Sequence, residues 1–327
     1  MDPVTHTLVG VGMANAFFRR RAGRESVPIL AIASNLPDLD AAVHLTGSPA
    51  ALLMRRTFGH SIFLVPIWSL LLALVLRRIY PGAGLPRLYT LPRLYGLTLL
   101  GAGVHLFFDL INSFGVVLLW PFSDWRPELA LVFIIDLALT GLLALPLLVA
   151  LVPAARPHLV TLSRAALACV AFYLMLCGAG RHLAGRALAR EATTFGLRPD
   201  FAYVFPEPLG PHRWRGVLRE RDLYRVYLVH SWSGEVEPKE EIRTRTDDPR
   251  VEEVRRSAFG RRLERFFKAP VWRVSDAPLD PAARGPAEVG VYDLRFLSLV
   301  LQRRHVFEYN FTVDQRGRVE NSSLPGP

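Results

Sequence analysis

Asp109 is the one formally charged residue between Arg93 and Asp124, in the apolar run LYGLTLLGAGVHLFFDLINSFGVVLLWPF. His105 precedes it by four residues and Asn112 follows by three, offsets that share one face of an α-helix. A carboxylate near the bilayer centre costs about 2.5–3.5 kcal/mol on insertion scales, and each Leu, Ile or Phe returns about 0.3–0.6 kcal/mol. The run can therefore still insert, but its carboxylate needs a partner. A His and an Asp at i and i+4 can share a metal ion. They can equally form a buried ion pair or hydrogen bond that holds helices together, and on this segment alone both readings are open.

Other polar groups recur at the ends or middles of apolar segments within the first 136 residues: His6, the stretch NLPDLD at 35–40 with Asp38 and Asp40, Arg56, the pair His60-Ser61, Ser113 and Asp136. Imidazole and carboxylate together suit Zn²⁺, with Mn²⁺ or Fe²⁺ as less selective alternatives. An ion held this way lowers the pKa of bound water and polarises a phosphoryl or carbonyl oxygen. Each residue also has a plainer reading. His6 is an ordinary helix histidine, Asp38 and Asp40 close the turn after Pro37, Ser61 caps a helix, and Asp136 makes an interhelical hydrogen bond. Their co-occurrence near one membrane face favours a site sunk into the bilayer surface.

The elements that must position these groups follow from composition. Residues 1–180 carry 13 arginines and 8 acids, against 26 basic and 21 acidic residues in 181–327. The first part reads as membrane and the second as a water-exposed domain, which divides the chain at 1–185 and 195–327. Both parts contribute to the net charge of +10. The charge is not gathered into one basic domain, so no nucleic-acid partner is expected. Cys169 and Cys177 share one apolar segment and read as packing residues. Asp2-Pro3 starts a helix, with Asp as N-cap and Pro in the first turn. Apolar runs predict spans at 61–76, about 94–120, about 129–152 (interrupted by Asp136) and about 160–180. Arginines at 19–24, 77, 78, 87, 93, 156 and 164 mark the cytoplasmic side. That places 35–60 and the C-terminal domain outside, with Arg55 and Arg56 as exceptions to the pattern. In the tail, 223–232, 289–301 and 305–313 alternate like strands, and 250–267 carries a helical stripe. His212, His230 and His305 read as ordinary domain histidines.

The order of these motifs resembles a known family. DPVTH at the start, NLPDLD, an arginine shortly before His-Ser, HLFFDLINSFG, WPFS and VFIID are similar to the YdjM-type family of membrane-bound, metal-dependent hydrolases. The likeness covers about residues 1–150, and the RWRG segment with its β-rich tail looks like the longer members. The family is in turn similar to the zinc-dependent phospholipase C and nuclease group, which implies a phospholipase C-like helical core ahead of a β-rich α+β domain. Carried over by position, the resemblance implies that His6, Asp38, His60, His105 and Asp109 bind divalent metal, with two or more ions allowed. Asp40 would act as general base, or as a neighbour of the ligands with Arg56, Ser61, Asn112, Ser113 and Asp136. Where the resemblance leads one to expect Thr before His60, this chain has Gly59. The expected activity is hydrolysis of a phosphoester, including a lipid-linked one, by metal-activated water at the inner membrane. The alternative is a non-catalytic membrane protein whose polar cluster is structural or metal-binding and whose outer domain binds a protein partner.

Overall fold

The computed structural model describes residues 1–48, 50–79, 89–208, 210–275, 287–302, 307–314 and 319–323. His305 and part of the strand expected at 305–313 lie outside the described residues. The chain divides into two compact units, one built mainly from 1–43 and 54–179 and the other mainly from 44–53, 180–208 and 212–327.

The first unit is helical. Asp2 accepts the Thr5 N–H (3.0 Å) and caps α1 (Pro3–Met13), which runs through a π-helical turn at Ala14–Phe18 into α2 (Arg19–Ala22). After α3 (Ser26–Ala33) comes a 3-10 segment, Leu36–Thr46, that carries Asp38 and Asp40. The short α4 (Ala51–Met54) and a 3-10 turn at Phe58–His60 precede α5 (Val65–Ile79). Next come α6 (Leu91–Leu110), α7 (Leu137–Val149) and the long α8 (Leu159–Thr194), whose residues past 179 belong, like most of α4, to the second unit. Helix α6 packs on α5 and α3, and α1 packs on α3 and α7. Two apolar clusters fill the gaps. One gathers Val9, Phe108, Ile111, Leu139, Leu143 and Tyr173, and the other gathers Ile29, Leu30, Ala73, Leu76, Leu94 and Leu97. The approach of α3 to α6 depends on Gly101, since a Cβ there would stand 2.6 Å from Ala33 Cβ. Gly101 is one turn before His105, so this close approach brings the end of α3 onto the face that carries His105 and Asp109.

Among the described residues, two helices are long and apolar enough to cross a membrane: Leu91–Leu110, and Pro153–Thr194, which includes α8. A third crossing exists if the bent pair Ala51–His60 and Val65–Ile79, which meet at 73°, is one span. On α5, Ile67, Leu70, Leu71, Leu74 and Val75 are exposed, a face suited to lipid. The expected spans at 94–120 and 129–152 are shorter than their apolar runs. Helix α6 stops at Leu110, and α7 has only 13 residues. Asp136 begins α7 as its N-cap, accepting the Leu139 N–H at 2.9 Å, instead of interrupting a longer helix. The apolar segment between the two helices turns back on itself. Leu129 N–H donates to Leu110 O, Leu131 N–H to Ile111 O, and Asn112 bridges Val132. Its polar backbone is thus paired inside protein, as buried irregular chain requires. At its other end α8 continues well past 180, so Arg181, Arg186 and Arg190 lie on its charged extension.

The second unit is rich in β-sheet. Strands β1 (Phe201–Pro206), β2 (Arg213–Glu220), β3 (Leu223–His230) and β4 (Val236–Arg243) form an antiparallel meander. A second meander contains β5 (Pro270–Ser275), β6 (Ala287–Asp293), β7 (Tyr309–Val313) and β8 (Val319–Ser323). Between them lie α9 (Pro249–Arg256) and α10 (Ala258–Phe266), where one helix was expected. Ser257 makes the break: its backbone is extended and its hydroxyl accepts the Gly260 N–H at 2.9 Å, a new N-cap. In the RWRG segment Trp214 is core and Arg215 is buried, donating to Glu207 (2.6 Å), Arg295 O and Leu297 O. Glu207 also accepts from Ser298, Leu299 and Val300, so the pair fixes the chain after β6 and has its charges compensated.

Candidate metal centre

Four side chains from three segments of the helical unit meet at one point. Asp38 comes from the 3-10 segment after Pro37, His60 from the turn before α5, and His105 and Asp109 from α6. Each offers one ligand atom, and these atoms all lie within 4.8 Å of one another. His60, His105 and Asp109 are fully buried, and Asp38 is partly so.

The imidazoles are held in a defined state. His105 Nδ1 lies 2.7 Å from Ser34 O, and His60 Nδ1 lies 2.9 Å from Asp40 Oδ2. A carbonyl oxygen and an ionised carboxylate can only accept, so both Nδ1 atoms carry the proton and both Nε2 atoms present a lone pair. Those two Nε2 atoms face each other at 3.0 Å. Asp109 Oδ2 stands 3.0 Å from one and 3.4 Å from the other. Asp38 Oδ1 is 4.0 and 3.9 Å from the same pair. Lone pairs crowded this closely repel, and the Arg56 Nε–H reaches only Asp109 Oδ2, whereas a cation at their centre would bind them all. With metal–nitrogen bonds of about 2.0–2.1 Å, tetrahedral ligands stand about 3.3 Å apart, so the donor set fits a common ion. Among the described residues Asp38 Oδ2 is also a buried acceptor with no donor. This buried Asp/His cluster could hold a metal ion.

Asp109 has two faces. Oδ2 looks toward His60 and His105 and takes the Arg56 Nε–H at 2.7 Å, while Oδ1 meets the Met1 amino group and lies 3.1 Å from His6 Nε2. His6 stacks on His105 with ring centroids 3.6 Å apart. It is thus beside the four-residue group and outside it.

Asp40 is fully buried and accepts from His60 Nδ1 and from the Thr57 N–H (2.9 Å). Burial pushes its carboxyl up to about 6, against the pull of the Thr57 and Arg56 backbone N–H groups. Its geometry is that of a carboxylate orienting a ligand histidine. Gly59 makes the His60 turn possible: a Cβ there would overlap the Pro37 carbonyl oxygen, one residue before Asp38. The glycine that stands where Thr was expected is therefore demanded by this close approach. Arg56 donates through Nη1 to Asn112 (2.9 Å) and lies over the Phe114 ring. Asn112 also reaches toward Asp109 Oδ1 at 3.5 Å. Ser61 donates to Trp120 O at 2.6 Å, and Ser113 is buried next to Asn112 in the chain. Asp136 makes the interhelical contact its plainer reading gave. Its bonds go to Leu139 and to the Tyr173 hydroxyl (2.8 Å), which joins α7 to α8. Ser34 is the contributor that sequence reasoning missed: it acts through its backbone carbonyl, which leaves no trace in residue type. A second group, His230, Glu235 and Glu237, gathers at the β3–β4 turn, where His230 Nε2 and Lys239 Nζ both contact Glu237.

Apolar crossing helices around a buried His/Asp cluster define a membrane protein with a candidate metal centre. The chain belongs to the YdjM inner membrane protein family, whose model matches residues 1–184. It is also similar to the "Uncharacterized protein YfhP" of Bacillus subtilis (strain 168), with 29% identity over 143 residues. That alignment covers 42% of this chain and 42% of the relative. No solved structure matches the chain.

Proposed function

We propose that this protein is a membrane-bound, metal-dependent hydrolase of phosphoesters, with lipid-linked phosphoesters the natural class for a site sunk at the bilayer face. The observation that carries the reading is the convergence of two imidazole lone pairs and two carboxylates on one buried point. In this reading Asp38, His60, His105 and Asp109 hold a divalent ion, zinc by donor type with manganese or iron as alternatives, and His6 serves a second ion across Asp109. When bound, such an ion supplies water of lowered pKa and a Lewis acid for a phosphoryl oxygen. The chain's own residues do the positioning. Ser34 O and Asp40 fix the ring tautomers, Asn112 fixes Arg56, and the packing of α1, α3 and α6 keeps the imidazoles away from bulk water. The test is metal content per chain of the full-length protein in detergent, followed by a phosphodiesterase and phospholipase panel. Metal without any hydrolysis across that panel counts against the enzyme.

The second reading, a non-catalytic membrane protein, is favoured by one observation. Arg56 already pairs with Asp109, so the cluster can serve as a buried polar network that ties helices together. Purified protein without metal, folded and indifferent to added zinc, decides for it.

Asp40→Asn separates a positioning role from a general-base role. Loss of an orienting carboxylate weakens metal affinity by about 10–100-fold. Unchanged zinc affinity with a collapse in turnover instead assigns Asp40 to proton transfer.

The arginine asymmetry orients the segment 35–60 and the C-terminal unit outward. A cysteine at Ser48, in a chain lacking Cys169 and Cys177, is then labelled from outside by an impermeant thiol reagent. One at Gly84, which lies outside the described residues, is protected. The reverse labelling puts the site on the cytoplasmic side.

A further inference from the structure

Three arginines crowd one side of the metal centre. Arg56 holds Asp109 Oδ2 through Nε and is almost fully buried. Arg55 Nη2 is 3.8 Å from Asp38 Oδ1. Arg126 donates through Nη2 to Arg55 O at 3.1 Å. Arg56 and Arg126 both lie over the Phe114 ring, with guanidinium carbons 4.7 and 5.7 Å from its centroid. Like charges packed this closely repel one another. Arg56 also has φ of +55°, a left-handed conformation that costs a residue with a side chain about 1–2 kcal/mol. Such strain persists only where surrounding contacts impose it. Here they are the Arg56 O···H–N Val117 bond and the grip of Asp40 on the Thr57 N–H.

The charge balance gives this cluster a purpose. In the structure Asp109 and Asp38 are the counter-ions of Arg56 and Arg55. They are also the two carboxylates of the metal group. A divalent ion that takes both of them cancels their charge and removes the contact counter-ions of both guanidiniums, leaving Asp40 as the nearby carboxylate that still acts on them. In direct contact Arg56 then keeps a neutral amide, Asn112, and an aromatic face. A buried guanidinium left in that state is costly. An anion beside the ion restores the balance, and guanidinium pairs with phosphoryl oxygens in bidentate geometry. This also accounts for Arg55 and Arg56 breaking the arginine pattern of their side of the membrane: they are bound inward at the site and do not mark topology.

We propose that Arg56, with Arg55, forms a phosphoryl-binding subsite beside the metal centre, emptied of its contact counter-ions when the ion binds. The inference rests on the metal reading above and fixes the substrate as a phosphoryl anion. If it holds, metal and phosphate bind cooperatively, and the coupling is reciprocal.

The test is zinc affinity of the full chain in detergent, by chelator competition, without and with 10 mM inorganic phosphate. A parallel pair uses nanodiscs of phosphatidylcholine containing either phosphatidic acid or diacylglycerol. We expect phosphate or phosphatidic acid to tighten zinc at least tenfold, and the arm that does so distinguishes free phosphate from a lipid headgroup. Arg56→Met should bind zinc yet lose the coupling to within twofold, and Arg56→Lys should keep part of it. If Arg56→Met does not fold, Arg55→Gln, at a partly exposed position, should reduce the coupling several-fold. Zinc uptake with no phosphate or phosphatidic acid effect overturns the subsite, as does undiminished coupling in Arg56→Met or Arg55→Gln. A wild-type chain that takes up no zinc in the phosphate-free arm instead ends the metal reading itself, and the subsite with it.

Discussion

Asp109→Asn strips the protein of metal while leaving it in the membrane: bound zinc per chain falls to less than about a tenth of wild type, because affinity drops far more than the 10–100-fold typical of losing an outer partner. Asn keeps the size of the side chain and removes the anionic oxygen on which His60, His105 and Arg56 converge. His105→Ala gives the same metal loss by a different route, since it removes one of the two lone pairs and leaves Ser34 O without its donor. Insertion survives in both. Removing a carboxylate from α6 lowers its cost of transfer into lipid, and losing one imidazole leaves the apolar surface intact. The measurement is elemental analysis of membrane-extracted protein, with extraction yield as the check on insertion. Full metal content in both variants would falsify the ligand assignment.

Gly59→Ala produces the second large effect, at a residue that binds nothing. The added Cβ overlaps the Pro37 carbonyl, which is backbone and cannot rotate away. Either the 36–46 segment or the 58–60 turn must move, and overpacking of this kind costs about 1–3 kcal/mol. Asp38 is on the first of these and His60 on the second, so the displacement separates two ligands. Zinc affinity is expected to fall at least tenfold, with helix content by circular dichroism unchanged. Gly101→Ala, where the clash is with Ala33 Cβ, works against the α3–α6 approach and should show its loss chiefly in thermal stability. Zinc binding by Gly59→Ala equal to wild type would mean that the two segments are not held as described.

Much of the fold was legible because hydropathy and charge are properties of residue type. The contrast between 1–180 and 181–327 separates a helical part from a β-rich part by composition alone. Asp2-Pro3 announces the first helix, and alternation marks β3 and β7. The helix break at Ser257 was not legible, since a serine in a helical stripe looks the same whether it points to solvent or caps a new helix. Nor were the limits of the membrane helices. An apolar run at 94–120 is equally suited to one long helix or to a helix and a buried returning loop. The choice depends on whether Leu110, Ile111 and Asn112 find backbone partners across the turn, which they do in Leu129, Leu131 and Val132.

The sequence by itself determined that His105, Asp109 and Asn112 lie on one helix face, because the helical repeat fixes offsets of three and four. Their isolation in an apolar run also dictated that they have partners. Which partners was a tertiary decision. Asp38 and His60 are 22 residues apart and far from α6 in the chain. They reach it because Gly59 lets the turn close on Pro37, and Gly101 lets α3 bring Ser34 O against His105. The same packing made Asp40 the anchor of His60, moved Asp136 to the cap of α7, and folded Arg55 and Arg56 inward onto carboxylates. Residue type sets what each side chain can donate or accept, and only close packing sets which of them share a point in space.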